Sequence, residues 1–194
     1  MSLYTLALFA HVSGAIGIFA GLGTWVFAVA ALRRAQQVEQ VRVLAALIHA
    51  SGNLVVGSIV LLGIAGIYMA LSVWGAQATW IIVATISFVL LAPFGALVIE
   101  PRVRRIATEA GQAPDGLLSA ALEARTRDPL LAAGLVLYVS CLFGIVFLMT
   151  DKPPLMEAIL AMGVALAVGV LASLPLWRSA RTQARSSVGR RIVL

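Results

Sequence analysis

The stretch AHVSGAIGIFAGLGTWVFA, residues 10–28, decides the architecture. It holds no Asp, Glu, Lys or Arg. Wound as a helix, it places Ala10, Gly14, Gly17, Gly21, Thr24 and Ala28 along one side, with His11 at the edge of that small-residue groove. Lipid supplies no hydrophobic drive between helices, so small residues act by letting a second backbone come close. An ionisable ring at membrane depth is costly and is read first as a functional group. The enclosing run, Tyr4–Leu32, exceeds the ~20 residues needed to cross a hydrocarbon core of about 30 Å. No basic segment precedes it, and it is too long for a signal-peptide core, so it is expected to be a retained span.

Outward from this run the chain repeats the pattern. Further apolar segments occupy Val43–Trp74, Thr79–Ile99, Pro129–Thr150 and Pro154–Trp177. Unpaired backbone groups are not tolerated in lipid, and no segment alternates with a period of two, so each run is expected to be a helix. The fold class expected is an all-α membrane protein, a five-transmembrane-helix bundle. Of 194 residues, 61% are hydrophobic and 11% charged, with a mean hydropathy of +1.02. A soluble domain is nearer a quarter charged, and the apolar runs leave no room for one. Asp128-Pro129 reads as an N-cap followed by proline in the first turn, Pro153-Pro154 as a break, and Pro93 as a bend inside the third run.

Charge sets the expected orientation. Arg33, Arg34, Arg42, Arg102, Arg104, Arg105, Arg125, Arg127, Arg178, Arg181, Arg185, Arg190 and Arg191 lie in the segments after the first, third and fifth runs. They are 13 of the 14 basic residues, and Lys152 alone falls on the other side. Basic loops stay cytoplasmic, which places the N-terminus outside and the C-terminus inside a bacterial cytoplasmic (inner) membrane. The net charge of +6 therefore reflects orientation, and nucleic acid is not an expected partner. Residues 100–128 form a cytoplasmic loop in which Leu117, Leu118, Ala121 and Leu122 outline an interfacial helix. Residues 178–194 form a basic tail. The fifth run carries a second close-packing stripe, Ala161, Ala165, Gly169 and Ser173. Such stripes serve packing within the chain, a homo-oligomer or a larger membrane complex.

Few polar groups lie inside the spans. His49, Gly52, Asn53, Val56, Val60 and Gly63 share a face of the second helix that is expected to point into the bundle, with Asn53 one turn from His49. The first helix runs inward and the second outward, so the two histidines differ in height by roughly 15–25 Å at 1.5 Å per residue. One haem held by both is thus not expected within a single chain. Met69 and Met149 fall nearer the depth of His11, and His/Met ligation suits haem, as methionine suits cuprous ion. The candidate cofactor-binding residues are therefore His11 with Met69 and Met149, then His49 with Asn53. His11 is the candidate metal ligand, and haem b or copper the candidate cofactor. No carboxylate lies mid-span, which argues against a proton pump. Neither a phosphate-binding glycine loop nor a Ser–His–Asp arrangement occurs, and Cys141, the one cysteine, reads as a packing residue.

His11-Val-Ser-Gly-Ala-Ile, Gly66-Ile-Tyr-Met, Trp80-Ile, Glu100-Pro-Arg-Val-Arg-Arg, Arg127-Asp-Pro and Phe147-Leu-Met-Thr-Asp-Lys-Pro together resemble an uncharacterised bacterial family of predicted integral membrane proteins, over about Leu3–Pro154. The first-helix histidine is also similar to that of the copper-resistance CopD and protoporphyrinogen-oxidising HemJ groups. The HemJ likeness implies haem at His11. HemJ proteins carry a lysine in a later span, whereas Lys152 here lies in a loop, which argues against protoporphyrinogen oxidation. The expected function is a bundle binding haem or a metal at His11 for electron transfer or oxidation near the outer leaflet. The alternatives are a non-catalytic subunit of a larger membrane complex and a copper or small-solute permease.

Overall fold

A computed structural model describes residues 2–75 and 77–192, with side chains through residue 177. Helix α1 spans Leu3–Leu32 and α2 Val38–Met69, the latter extended by a wide π turn at Ala70–Trp74. Helix α3 spans Thr79–Phe94, passes through a second π turn at Gly95–Ile99, and runs on into α4, Glu100–Gln112. A short α5 (Ala120–Thr126), then α6 (Pro129–Asp151) and α7 (Leu155–Ile192), complete the chain. Five helical stretches are long and apolar enough to cross a membrane, and there is no strand among the described residues.

Local chemistry explains the ends. Ser2 Oγ accepts the Thr5 amide at the start of α1. Asp128 Oδ1 accepts the Leu130 amide at 2.8 Å, with Pro129 in the first turn of α6 where no amide is needed. Lys152 closes α6 in the left-handed region, and Pro153 and Pro154 prevent its continuation. In α3, Pro93 removes one helical donor, and the wide turn begins two residues later.

Two antiparallel hairpins, α1–α2 and α6–α7, meet through α6, whose apolar stretch is the most deeply buried of the five; α3 lies against α6 and α7. Both small-residue stripes are used inside the chain. Gly14, Gly21 and Ala28 are buried against α2, while Gly169 and Ser173 are buried on α7. A Cβ on Gly169 would meet Leu137 Cα at 3.1 Å and Ser140 Cβ at 3.0 Å on α6.

The segment read as a loop from Glu100 is largely helix. Val103, Ile106 and Ala110 recur at three- and four-residue spacing and bury one side of α4 against α2, so the third helix continues beyond the apolar run. Leu117 lies exposed in the break at 113–119, after which α5 buries Leu122 and Thr126. The side chains of Arg178, Arg181, Arg185, Arg190 and Arg191 lie outside the described residues.

Candidate functional site

Helices α1 and α2 meet along a seam that runs from Trp25 to His11. Trp25 Nε1 donates to Ile48 O (3.1 Å) and to Ser51 Oγ (3.0 Å). One turn on, Gly21 faces Val55 and Ser51, and Gly17 faces Ser58 so closely that a Cβ would overlap its hydroxyl. At Gly14 a Cβ would lie 2.9 Å from Ser58 O and from the Leu62 backbone nitrogen, so only hydrogen allows this approach. The seam ends at His11, whose Nδ1 lies 3.0 Å from Leu62 O. A methyl on Gly66 would sit 3.1 Å from the imidazole Cε1 and Nδ1. Gly66 is thus the floor on which the ring rests.

This contact fixes the ring chemically. A carbonyl oxygen only accepts, so Nδ1 carries the proton and donates, and in the neutral ring Nε2 presents its lone pair. A histidine that ligates through one nitrogen characteristically donates the other to a carbonyl or carboxylate, which sets tautomer and orientation. The ring is half-buried, held but reachable.

The other candidates separate from it. His49 and Asn53 are exposed, as are Val56 and Val60, because the face of α2 that meets the rest of the bundle is Val41, Ala45, Ile48, Val55, Ser58, Ala65 and Met69. The expectation that the His49 face points inward is thus corrected. Its small and polar residues lie beside the buried stripe. The heights agree with the sequence estimate: Ile48, next to His49, is bonded by Trp25, fourteen residues along α1 from His11, or about 21 Å. Met69 is buried one turn beyond Gly66 on α2, and Met149 is half-buried against the core on α6. Among the described residues no three His, Cys, Asp or Glu side chains come together as a metal site.

The opposite end is polar and densely bonded, an arrangement sequence reading missed. Arg42 Nε donates to Ala110 O at 2.7 Å, a second nitrogen donates to Ala113 O, and Nη1 pairs with Asp115 at 2.5 Å. Val38 N donates to Gly116 O and Leu118 N to Gln36 O, a short antiparallel bridge. Gly116 turns there at φ 115°, a conformation that strains any side chain. Arg102 Nε pairs with Asp128 (3.1 Å) and its Nη1 donates to Val98 O, while Arg125 pairs with Glu109 at 2.6 Å. Arg33 donates to Arg127 O; burial, then the neighbouring Arg127 charge, draws its guanidinium below the ordinary range, and Asp128 draws it back. Arg42 and Asp115 lie 73 residues apart, and the signal that could have paired them, a lone arginine one turn into α2, is weak without the fold.

Comparison with known proteins adds the family. No curated protein and no solved structure matches the chain. The family model described as "Predicted integral membrane protein (DUF2269)" matches residues 5–153, from the start of α1 to the α6–α7 break. The chain belongs to that family of integral membrane proteins.

Proposed function

We propose that this integral membrane protein uses the α1–α2 seam as a ligand site, with His11 Nε2 as the donor to haem b. The observation that carries the reading is the 3.0 Å contact from Nδ1 to Leu62 O, which leaves the Nε2 lone pair free to ligate. The donor set favours haem over a bare copper ion. Haem iron accepts a single axial histidine, whereas a metal held by protein alone needs several donors, and His11 has no cluster of His, Cys, Asp or Glu around it among the described residues. Met69 and Met149 remain the candidate second ligands. Bound haem would supply one-electron chemistry, for electron transfer or oxidation. The chain's own part is to hold the imidazole, through Leu62 and Gly66, in one tautomer and one plane. The arginine distribution supports a cytoplasmic location for the α4–α5 end in a bacterial inner membrane, which puts His11 near the outer leaflet.

Absorption spectra and metal analysis of gently purified protein test this. A Soret band is expected in wild type and in His49→Ala, and is lost in His11→Ala. Colourless, metal-free wild-type protein, or a Soret band unchanged in His11→Ala, would overturn it.

A second reading, a non-catalytic subunit of a larger complex, is favoured by the exposure of His49 and Asn53. Intramembrane polar side chains usually face protein or a cavity, and here none of the described residues covers them. Cross-linking from Asn53→Cys to a fixed neighbour in native membranes, with colourless purified protein, is the result that reading expects.

A further inference from the structure

Beside the α4–α5 cap lies a cleft of about 240 Å³ lined by Leu97, Pro101, Arg102, Arg105, Ile106, Arg125 and Asp128. Its wall changes character along one helical line. Leu97, Pro101 and Arg105 follow one another along the continuous α3–α4 helix, and all three line the cleft. Leu97 belongs to the apolar run and is 74% exposed, whereas Arg105 lies two turns on, about 12 Å along the axis. The cleft therefore begins beside hydrocarbon and ends at guanidinium groups, the profile of a bilayer interface.

The charges in it are not equivalent. Asp128 carries the one negative charge on the wall, and both its oxygens are engaged, one by Arg102 Nε and the other by the Leu130 amide. Arg102 is committed to Asp128 and Val98 O, and Arg125 to Glu109 outside the lining. Arg105 is exposed and has no hydrogen bond or ion pair among the described residues. With Arg102 paired to Asp128 and Arg125 to Glu109, the cleft's excess positive charge rests on Arg105, which holds its donors unspent. Its volume is about eight waters' share at ~30 Å³ each, room for a phosphodiester group but not for acyl chains, which would lie along Leu97.

We infer that this cleft binds the phosphate group of an anionic phospholipid, with Arg105 as the principal contact and Arg102 and Arg125 as its positive walls. Basic pockets between spanning helices take such headgroups through charge-assisted hydrogen bonds. The site is independent of His11 and lies at the other end of the bundle.

Native mass spectrometry of full-length protein in detergent, titrated with phosphatidylglycerol or phosphatidylcholine, tests the inference. Wild type is expected to retain phosphatidylglycerol preferentially. Arg105→Gln should lower that retention about five-fold, the effect of one near-surface arginine. Arg104→Gln, an equal change of charge at the next residue of the same helix, should leave it unchanged, and size-exclusion profiles confirm that both variants are folded. Equal losses in the two variants would make the effect one of general charge and overturn the site. An absent headgroup preference would do the same. Displacement of phosphatidylglycerol by millimolar inorganic phosphate would assign the cleft to a free anion and overturn the lipid reading.

Discussion

At the arginine-rich end of the bundle, one side chain, Arg42, binds two backbone carbonyls and a carboxylate of the α4–α5 connection, and ion pairs at Arg102 and Arg125 fasten the same segment. At the other end, the ties among the described residues are few: His11 on Leu62 O, Trp74 edge-on to Trp80 at 5.4 Å, and Lys152 Nζ 4.4 Å above the Trp74 ring. The first end is a cap in which long-range polar contacts tie a segment with no apolar run of its own to the spanning helices. The second consists of helix ends that come together because the spans beneath them pack. A cap of that kind tolerates little rearrangement, while loosely tied helix ends leave a ring such as His11 reachable.

Arg42→Ala should break the contrast most strongly. It removes hydrogen bonds from a charged donor to Ala110 O and Ala113 O as well as the partly exposed pair with Asp115. With the exposed pair discounted, the loss is about 2–4 kcal/mol. Hydrogen exchange should speed selectively over 110–118 while the α1–α2 seam stays protected. A uniform rise across the molecule would mean that the two ends are not separately held.

Gly14→Ala attacks the seam that both ends share. Alanine is the better helix former by about 1 kcal/mol, so the substitution would stabilise an isolated α1. Here the new methyl meets Ser58 O and Leu62 N at 2.9 Å, and helices must part, at a net cost of about 1–3 kcal/mol. Thermal denaturation in detergent should show a lowered midpoint, and a raised one would deny the close approach.

Trp74→Ala should have the smallest effect, about 1 kcal/mol, because it removes one edge-to-face pair and one exposed cation–π contact. The expected readout is faster exchange at 70–80 alone. A loss equal to that of Arg42→Ala would erase the difference between the ends.

Much of the fold was legible because lipid imposes it. A long uncharged run must be helical, and breakers such as Asp128-Pro129 and Pro153-Pro154 work through local backbone chemistry. The glycine stripes were legible as close-packing faces for the same reason. What they pack against was not, since a groove of small residues fits any helix. The face of α2 was misread because His49 and Asn53 attract attention as polar residues, whereas Ser58, Leu62 and Gly66, which meet α1, are chemically plain. The continuation of the third helix through Glu100–Gln112 was hidden by its charges, although Val103, Ile106 and Ala110 carry a helical period.

By itself the sequence determined that five helices cross a membrane, that arginine gathers at one end, and that His11 stands beside a glycine groove. These follow from hydropathy, local propensity and periodicity, each of which acts over a few turns. Only the tertiary structure decided that Leu62 O orients the His11 ring, that Arg42 reaches Asp115, and that Arg105 is left without a partner among the described residues. Each of those depends on which helix faces are brought together, and that choice is made by packing between segments tens of residues apart.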